Sequence, residues 1–178
     1  MIAFVYDTET SGLINNRSLP LNKQPEIIEF YGCVVDLRTG EILSEIETLI
    51  KPKVAVSDLI TRITGIDNDL LQGAPDFTTV APLIKATLEA QAVVIAHNAS
   101  FDVEMVDIEF ERLNQTIEWS TQVICTVEAT LPLKGFRFKL QGLHEHLFGV
   151  PFAEAHRAKN DVVALTRCCV ELFMRGDL

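Results

Sequence analysis

The alternation of apolar and polar positions along the chain predicts a mixed α/β fold. A continuous apolar run covers residues 2–6, as expected for a strand that is buried on both faces. β-rich runs follow at residues 26–36 and 41–50, and the polar residues 38–40 between them predict a hairpin turn. Because helical and strand patterns alternate after this hairpin, we expect a sheet with helices on its faces.

Helical periodicity accounts for most of the second half of the chain. The apolar side of the first long helix is expected to include Leu83, and Asn98 or Ser100 could cap the second. A shorter helix is expected after its cap, Ser57. The predicted helices cover residues 76–90, 100–113, 140–148 and 158–174, and the predicted strands of this half cover residues 92–96 and 122–125.

Composition predicts a single globular domain over residues 1–178, with 48% hydrophobic and 22% charged residues. No apolar run approaches the length of a membrane span, and the short apolar start predicts a strand rather than a signal peptide. Four cysteines without metal-ligand spacing indicate reduced thiols in a cytoplasmic protein. The net charge of −10 argues against a large nucleic-acid-binding surface, but it permits a small site where metals compensate the acids.

Two acids directly follow the first apolar run. Asp7 and Glu9 are two residues apart on a predicted strand, so both side chains lie on one face. Two such anions raise each other's pKa unless a cation lies between them, and oxygen ligands suit Mg²⁺ or Mn²⁺. The alternative is a pair of solvated acids at a strand end.

Three further residues extend this pattern. Asp102 opens the helix that follows a buried strand, and His156 and Asp161 flank the start of the last helix. Each has a structural alternative, because helix starts favour acids and a single histidine is often a surface residue. Taken in order, four acids and an imidazole that titrates near neutrality indicate metal-assisted phosphodiester hydrolysis.

Three motifs carry a resemblance to a known family. They are Asp-Thr-Glu-Thr at residues 7–10, Asn-Ala-Ser-Phe-Asp at residues 98–102 and His-Arg-Ala-Lys-Asn-Asp at residues 156–161. In this order they resemble the histidine-bearing (DEDDh) subgroup of the DEDD 3′–5′ exonuclease superfamily, typified by the proofreading epsilon subunit of bacterial DNA polymerase III.

The resemblance implies an RNase H-like fold, with a five-stranded mixed sheet flanked by helices. It implies two divalent metal ions, Mg²⁺ or Mn²⁺, and His156 as the base in a reaction that releases nucleoside 5′-monophosphates. It also implies single-stranded nucleic acid as partner, with DNA expected, and replication or repair proteins. The implied metal ligands are Asp7, Glu9, Asp102 and Asp161, and the implied contacts to the terminal nucleotide are Thr8, Thr10, Thr64 and Phe101, although Phe101 could instead be a core residue.

Two segments and two rival functions complete the sequence-based predictions. Residues 134–139 interleave basic and aromatic side chains, so Arg137 and Lys139 could hold a single strand, unless the segment is a solvated loop. The long loop at residues 13–25 follows the first motif and could shape the substrate entrance. The chain ends soon after the last predicted helix, so no polymerase-binding tail is expected.

The rival functions are those of an exoribonuclease of the same superfamily and of a non-catalytic accessory subunit that binds nucleic acid.

Overall fold

A mixed sheet forms the centre of the computed structural model, which describes residues 1–119, 122–152 and 156–178. Its strand order is β3-β2-β1-β4-β5, so β1 is the middle strand. The strands are β1 (Ile2–Thr10), β2 (Ile27–Asp36), β3 (Glu41–Leu49), β4 (Val93–Ala96) and β5 (Gln122–Cys125).

The direction of the strands brings two chain ends together. β1 pairs antiparallel with β2, and β2 pairs antiparallel with β3. β4 runs parallel to both β1 and β5. The carboxyl ends of β1 and β4 therefore lie at the same edge of the sheet, where ligands bind in open α/β sheets. The predicted RNase H-like architecture of five mixed strands flanked by helices is confirmed.

Helices cover both faces of the sheet. Because side chains alternate along β1, Phe4 and Tyr6 pack in one core cluster with residues of α3 and α4, while Ala3 and Val5 pack against α8. The helices are α1 (Asp58–Thr64), α2 (Asn68–Gln72), α3 (Phe77–Glu89), α4 (Ala99–Arg112), α5 (Thr126–Ala129), α6 (Leu131–Lys134), α7 (Leu140–Phe148) and α8 (Ala158–Arg175).

Most predicted elements are confirmed, with differences at particular positions. Ser57 caps α1 by accepting a hydrogen bond from the amide of Ile60. Leu83 was expected on the buried side of α3, but it is 58% exposed, because the face toward the sheet is formed by other residues, including Ile84 and Leu88. β1 continues beyond its apolar run through both acids of the first motif, because its pairing with β2 extends to Thr10.

The capping of α4 differs from the prediction. Asn98 occupies the position before the helix, but it has a left-handed backbone with φ 66° and makes no capping hydrogen bond through its side chain. Side-chain caps normally need an extended backbone at this position. Ser100 lies inside the helix. The predicted side-chain cap is therefore wrong for both residues, and a sharp left-handed turn brings the chain into α4.

The four cysteines are free thiols, and two of them, Cys168 and Cys169, lie on α8. Cys168 and Cys169 are both buried but belong to different core clusters, so their side chains point in different directions. Within the described ranges, none of the helices combines the length and the apolarity that a membrane crossing requires.

Candidate active site

Three carboxylates from two elements meet at the carboxyl end of β1. Asp7 and Glu9 share the side of the strand that faces α8, and Asp161 projects from the first turn of α8. One oxygen from each of these three side chains lies within 4.8 Å of the others, and all three residues are half-buried. The structure therefore brings together residues from the first and third motifs, which are about 150 positions apart in the chain.

The cluster is electrostatically unfavourable when it holds no cation. Burial raises the pKa of Asp7 well above its usual value, and the negative charges of Asp102 and Glu9 raise it further. Burial and the charge of Asp161 raise the pKa of Glu9 from 4.5 to about 8. Burial also raises the pKa of Asp161. Without a cation, these carboxyl groups therefore stay protonated to higher pH than ordinary surface carboxyl groups do.

Asp102 reaches the same strand from the opposite face of the sheet. The amide and hydroxyl of Thr8 donate hydrogen bonds of 3.2 and 2.8 Å to Asp102 Oδ1. Burial raises the pKa of Asp102 to about 7, although these two hydrogen bonds oppose the increase. Asp102 contributes to the raised pKa of Asp7 but lies outside the group of three converging carboxylates. Its role as a metal ligand stays a prediction.

The donor set fits a divalent metal. Asp7, Glu9 and Asp161 offer only carboxylate oxygens, which hard cations such as Mg²⁺ and Mn²⁺ prefer. The like charges repel one another in a partly buried site, and a cation between them would remove this repulsion. The structure thus supports divalent metal binding at this cluster.

His156 stands beside the cluster in an unusual backbone conformation. Its φ of 72° lies in the left-handed region, and its amide donates a 2.9 Å hydrogen bond to Asp161 Oδ2. The side chain is exposed and lines a cavity together with Asp7 and Asp161. The imidazole is therefore accessible to a molecule bound next to the acids.

This cavity has a volume of about 600 Å³ and connects the acids with the segment of basic and aromatic residues. Arg137 and Lys139 both line it. The guanidinium of Arg137 also pairs with Glu128, so its charge is partly compensated. Of the two phenylalanines in the segment, Phe138 is buried and Phe136 is 54% exposed. The segment 134–139 is thus mostly accessible surface, with Phe138 as its buried residue.

His97 was not predicted as a site residue, yet it connects two walls of the cavity. Its Nε2 donates a 3.1 Å hydrogen bond to the carbonyl of Phe138, and its Nδ1 lies 2.9 Å from the hydroxyl of Thr126. Burial lowers the pKa of His97 to about 4, so the ring is neutral near pH 7. It fixes the backbone of the basic-aromatic segment relative to the end of β4.

The hydroxyls of the three threonines predicted to contact a nucleotide are used within the protein. Thr8 donates to Asp102, Thr10 donates to the carbonyl of Gly12, and Thr64 donates to the carbonyl of Ile60. These hydroxyls therefore stabilise turns and the site itself. Contact between these residues and a nucleotide stays a prediction.

Phe101, the fourth predicted contact, is half-buried, and its contact with a nucleotide stays a prediction. Its ring packs against the core cluster beneath α4. It also lines a second cavity, which it shares with residues of the loop at 13–25. Arg112 anchors this loop by donating to the carbonyls of Leu21, Gln24 and Pro25. The loop therefore forms an anchored wall beside Phe101, and its role in shaping a substrate entrance stays a prediction.

Glu29 and Arg157 adjoin the acids but were not singled out as site residues. Glu29 is 2% exposed and receives hydrogen bonds from the guanidinium of Arg157. One signal in the sequence could have identified it, because it is a charged residue within the apolar run at 27–31. A buried acid is rare without a partner or a function.

Comparison with known proteins agrees with this fold. The fold and the converging carboxylates define a class, the metal-dependent nucleases with an RNase H-like sheet. The family model described as exonuclease (RNase T) matches residues 4–168, so the chain belongs to this exonuclease family. The resemblance to the histidine-bearing DEDD exonucleases is confirmed.

The curated relatives include much larger replication proteins. The chain is 32% identical over 171 residues to the PolC-type DNA polymerase III of Caldanaerobacter subterraneus subsp. tengcongensis. It is also 32% identical over 173 residues to the PolC-type DNA polymerase III of Staphylococcus aureus. These matches cover 95% and 96% of this chain, but the chain spans only 11% of the length of each polymerase.

Solved structures share the fold at lower identity. The nuclease domain of 3′hExo, a DEDDh family member bound to rAMP, matches with a TM-score of 0.81 and 17% identity, covering 98% of this chain and 92% of that one. Exonuclease X in complex with 5′ overhanging duplex DNA matches with a TM-score of 0.68 and 21% identity, covering 98% and 93%.

The raised pKa of Glu9 predicts how stability depends on pH. The folded metal-free protein keeps a proton on Glu9 up to about pH 8, whereas the unfolded chain releases it near pH 4.5. This contribution to stability is therefore fully present below pH 4.5 and is lost as the pH rises toward 8. In EDTA, we expect the melting temperature of wild type to fall more steeply over this interval than that of Glu9→Gln.

Thermal denaturation at several pH values checks this prediction, with excess Mg²⁺ as the comparison. A bound cation favours the ionised carboxylates, so Mg²⁺ should flatten the decline in wild type. Equal slopes for wild type and Glu9→Gln in EDTA would contradict the assigned electrostatics.

Proposed function

We propose that this chain is a metal-dependent 3′–5′ exonuclease that acts on single-stranded DNA ends and releases nucleoside 5′-monophosphates. The observation that carries the proposal is the meeting of Asp7, Glu9 and Asp161 within 4.8 Å beside a histidine and a cavity. A cluster of this kind is costly to maintain in a partly buried site unless cations bind there. Membership of the exonuclease family supports the same activity.

The acids would hold two divalent metals, Mg²⁺ or Mn²⁺, with Asp102 completing the set from the other face of β1. When bound at such a site, the cations activate water and stabilise the attacking and leaving oxygens of a phosphodiester. The role of Thr8 is then to orient Asp102, because it donates two hydrogen bonds to one oxygen of that carboxylate.

His156 would act as the general base. Its side chain is exposed in the cavity wall, next to Asp7 and Asp161, so a water molecule beside the acids is within reach of the imidazole. The hydrogen bond from its amide to Asp161 keeps the backbone of His156 close to the cluster. Because only neutral imidazole can accept a proton, the rate should fall in acid.

The cavity gives the nucleic acid a route to the acids. Its volume of about 600 Å³ lies within the range of ordinary ligand sites. Arg137 and Lys139 would attract the phosphates of the strand, and the exposed ring of Phe136 could stack on a base. A short basic wall agrees with the overall charge of −10, because only the last nucleotides need to be held.

DNA is the proposed substrate because the matched relatives are DNA polymerases. A specific observation favours RNA as the second candidate, since the matched nuclease domain of 3′hExo is bound to rAMP. The third candidate, a non-catalytic binding subunit, is less favoured. Binding of a strand alone does not require carboxylates that repel one another to lie together. Association with replication or repair proteins is part of the proposal, and its support is the same set of polymerase relatives.

The first prediction of this proposal concerns turnover. With Mg²⁺ or Mn²⁺, wild type should shorten a 3′ single-stranded DNA oligonucleotide faster than an RNA oligonucleotide of the same sequence. Asp7→Asn should lose this activity, because a neutral amide cannot replace an anionic ligand. The matched control is Asp69→Asn, which changes an exposed acid on α2.

Denaturing gels and mass spectrometry of the products measure both the rate and the direction of cleavage. Faster cleavage of RNA would favour the exoribonuclease, and strand binding without turnover would favour the accessory subunit. Full activity in Asp7→Asn would reject the cluster as the catalytic centre.

The second prediction concerns the proton acceptor. His156→Ala should lower kcat by about 10² to 10⁴, and the acid limb of its pH–rate profile should disappear. Mn²⁺ binding, measured by calorimetry, should be largely retained, because the imidazole is not among the three converging ligands. A pH–rate profile identical to that of wild type would exclude His156 as the base.

The third prediction concerns the basic wall of the cavity. Arg137→Ala and Lys139→Ala should raise KM and leave kcat nearly unchanged, because phosphate contacts contribute affinity. Glu128→Gln should lower KM, because it releases Arg137 from its ion pair. The matched control is Arg38→Ala, which removes an arginine of similar exposure that pairs with Asp36 at the β2–β3 turn.

Measurement of KM and kcat over a salt series decides this point. Each lost phosphate contact should reduce the slope of log affinity against log salt by about 1. A KM and a salt slope equal to those of wild type in Arg137→Ala and Lys139→Ala would mean that the strand is held elsewhere.

A further inference from the structure

Glu29 lies directly beside the acid cluster but outside the group of three converging carboxylates. On the sheet it is the antiparallel partner of Glu9, so their side chains project from the same face. Like charges at directly opposite positions are destabilising, and Glu29 is also 2% exposed. The negative charge of Glu29 therefore needs a partner that compensates it, and the start of α8 provides this partner.

The compensation consists of hydrogen bonds from two consecutive residues. Arg157 Nε lies 3.2 Å from each oxygen of Glu29, and Arg157 Nη2 lies 2.6 Å from Oε1. The amide of Ala158 donates a 2.9 Å hydrogen bond to Oε2. The guanidinium thus donates hydrogen bonds to the carboxylate from two nitrogens, which is the strong and directional form of this ion pair.

These bonds also complete the helix. α8 begins at Ala158, and Arg157 at the preceding position makes no capping hydrogen bond through its side chain. Glu29 therefore caps α8 from the neighbouring strand, and a negative charge at this end is favoured by the helix dipole. Because the cap comes from the sheet, it fixes where the helix starts relative to β1 and β2.

The position of this helix start matters for two residues of the site. His156 immediately precedes Arg157, and Asp161 lies one turn after Ala158. We propose that Glu29 is a positioning residue. By pairing with Arg157 and accepting a hydrogen bond from the first amide of α8, it keeps His156 and Asp161 beside the acids of β1. This inference rests on the proposed exonuclease function for its kinetic consequences, but the contacts of Glu29 with the start of α8 can be tested without turnover.

The test compares Glu29→Gln with Glu47→Gln. Both variants remove a carboxylate that pairs with the start of α8, since Glu47 binds Lys159. Glu47 and Lys159 are both about half exposed, however, and such surface pairs contribute little. Glu29→Gln should reduce kcat and weaken Mn²⁺ binding, each by about 10-fold or more, with KM within about twofold of wild type. Glu47→Gln should match wild type within about twofold in all three quantities.

A second variant separates the effect of losing these contacts from the effect of a general loss of structure. Arg157→Lys keeps a positive charge and leaves Glu29 able to accept from Ala158, but it cannot donate from two nitrogens of one plane. We expect its kcat to lie between those of wild type and Glu29→Gln. Hydrogen exchange of the Ala158 amide should be fastest in Glu29→Gln and close to wild type in Arg157→Lys. Circular dichroism should remain like that of wild type in both variants.

The outcomes distinguish the inference from the proposed function. Wild-type kcat and Mn²⁺ affinity in Glu29→Gln would overturn the positioning role, as would a reduced kcat with unchanged exchange at Ala158. If wild type cleaved no oligonucleotide at all, the proposed function would fail. Mn²⁺ binding and amide exchange in Glu29→Gln would still decide whether the residue positions α8.

Discussion

The repulsion among half-buried carboxylates at the end of β1 is the constraint on which the rest of the site depends. Burial raises the pKa of Asp7, Glu9 and Asp161, and the charges of neighbouring carboxylates, including Glu29, raise each of them further. Folding must therefore hold together groups that would separate in water. The surrounding sheet supplies this restraint through pairing on both sides of β1, and divalent cations are the natural counter-charge for it.

Each face of the sheet contributes a separate part of the arrangement. The α8 face carries the three converging acids, together with Glu29 and its partner Arg157. The opposite face carries Asp102, which is held by Thr8. Parallel pairing of β4 with β1 brings the turn before α4 to the same edge as the acids. The geometry of the site is therefore a consequence of strand order, and long-range contacts such as Thr8–Asp102 and Glu29–Arg157 fix its side chains.

Much of this could be predicted because it follows from local patterns. The apolar runs and helical periodicities marked the five strands and long helices, and the order of the motifs identified the family. The exposure of Leu83 and the left-handed turn at Asn98 could not be predicted, because they depend on tertiary packing and on backbone geometry. The pairing of Glu29 with Arg157 could not be predicted either, because the two residues are adjacent only once α8 has docked on the sheet.

The alternation of side chains along β1 has a consequence for how the gene can change. Asp7 and Glu9 face α8, whereas Thr8 faces α4, so inserting or deleting one residue earlier in the strand would exchange the two faces. The acids would then be buried under α4, and threonines would stand opposite Asp161. The loop at 13–25 lies beyond the strand, so its length can vary while the register is kept. Insertions and deletions can therefore remodel this loop, but they cannot move the acids by small steps.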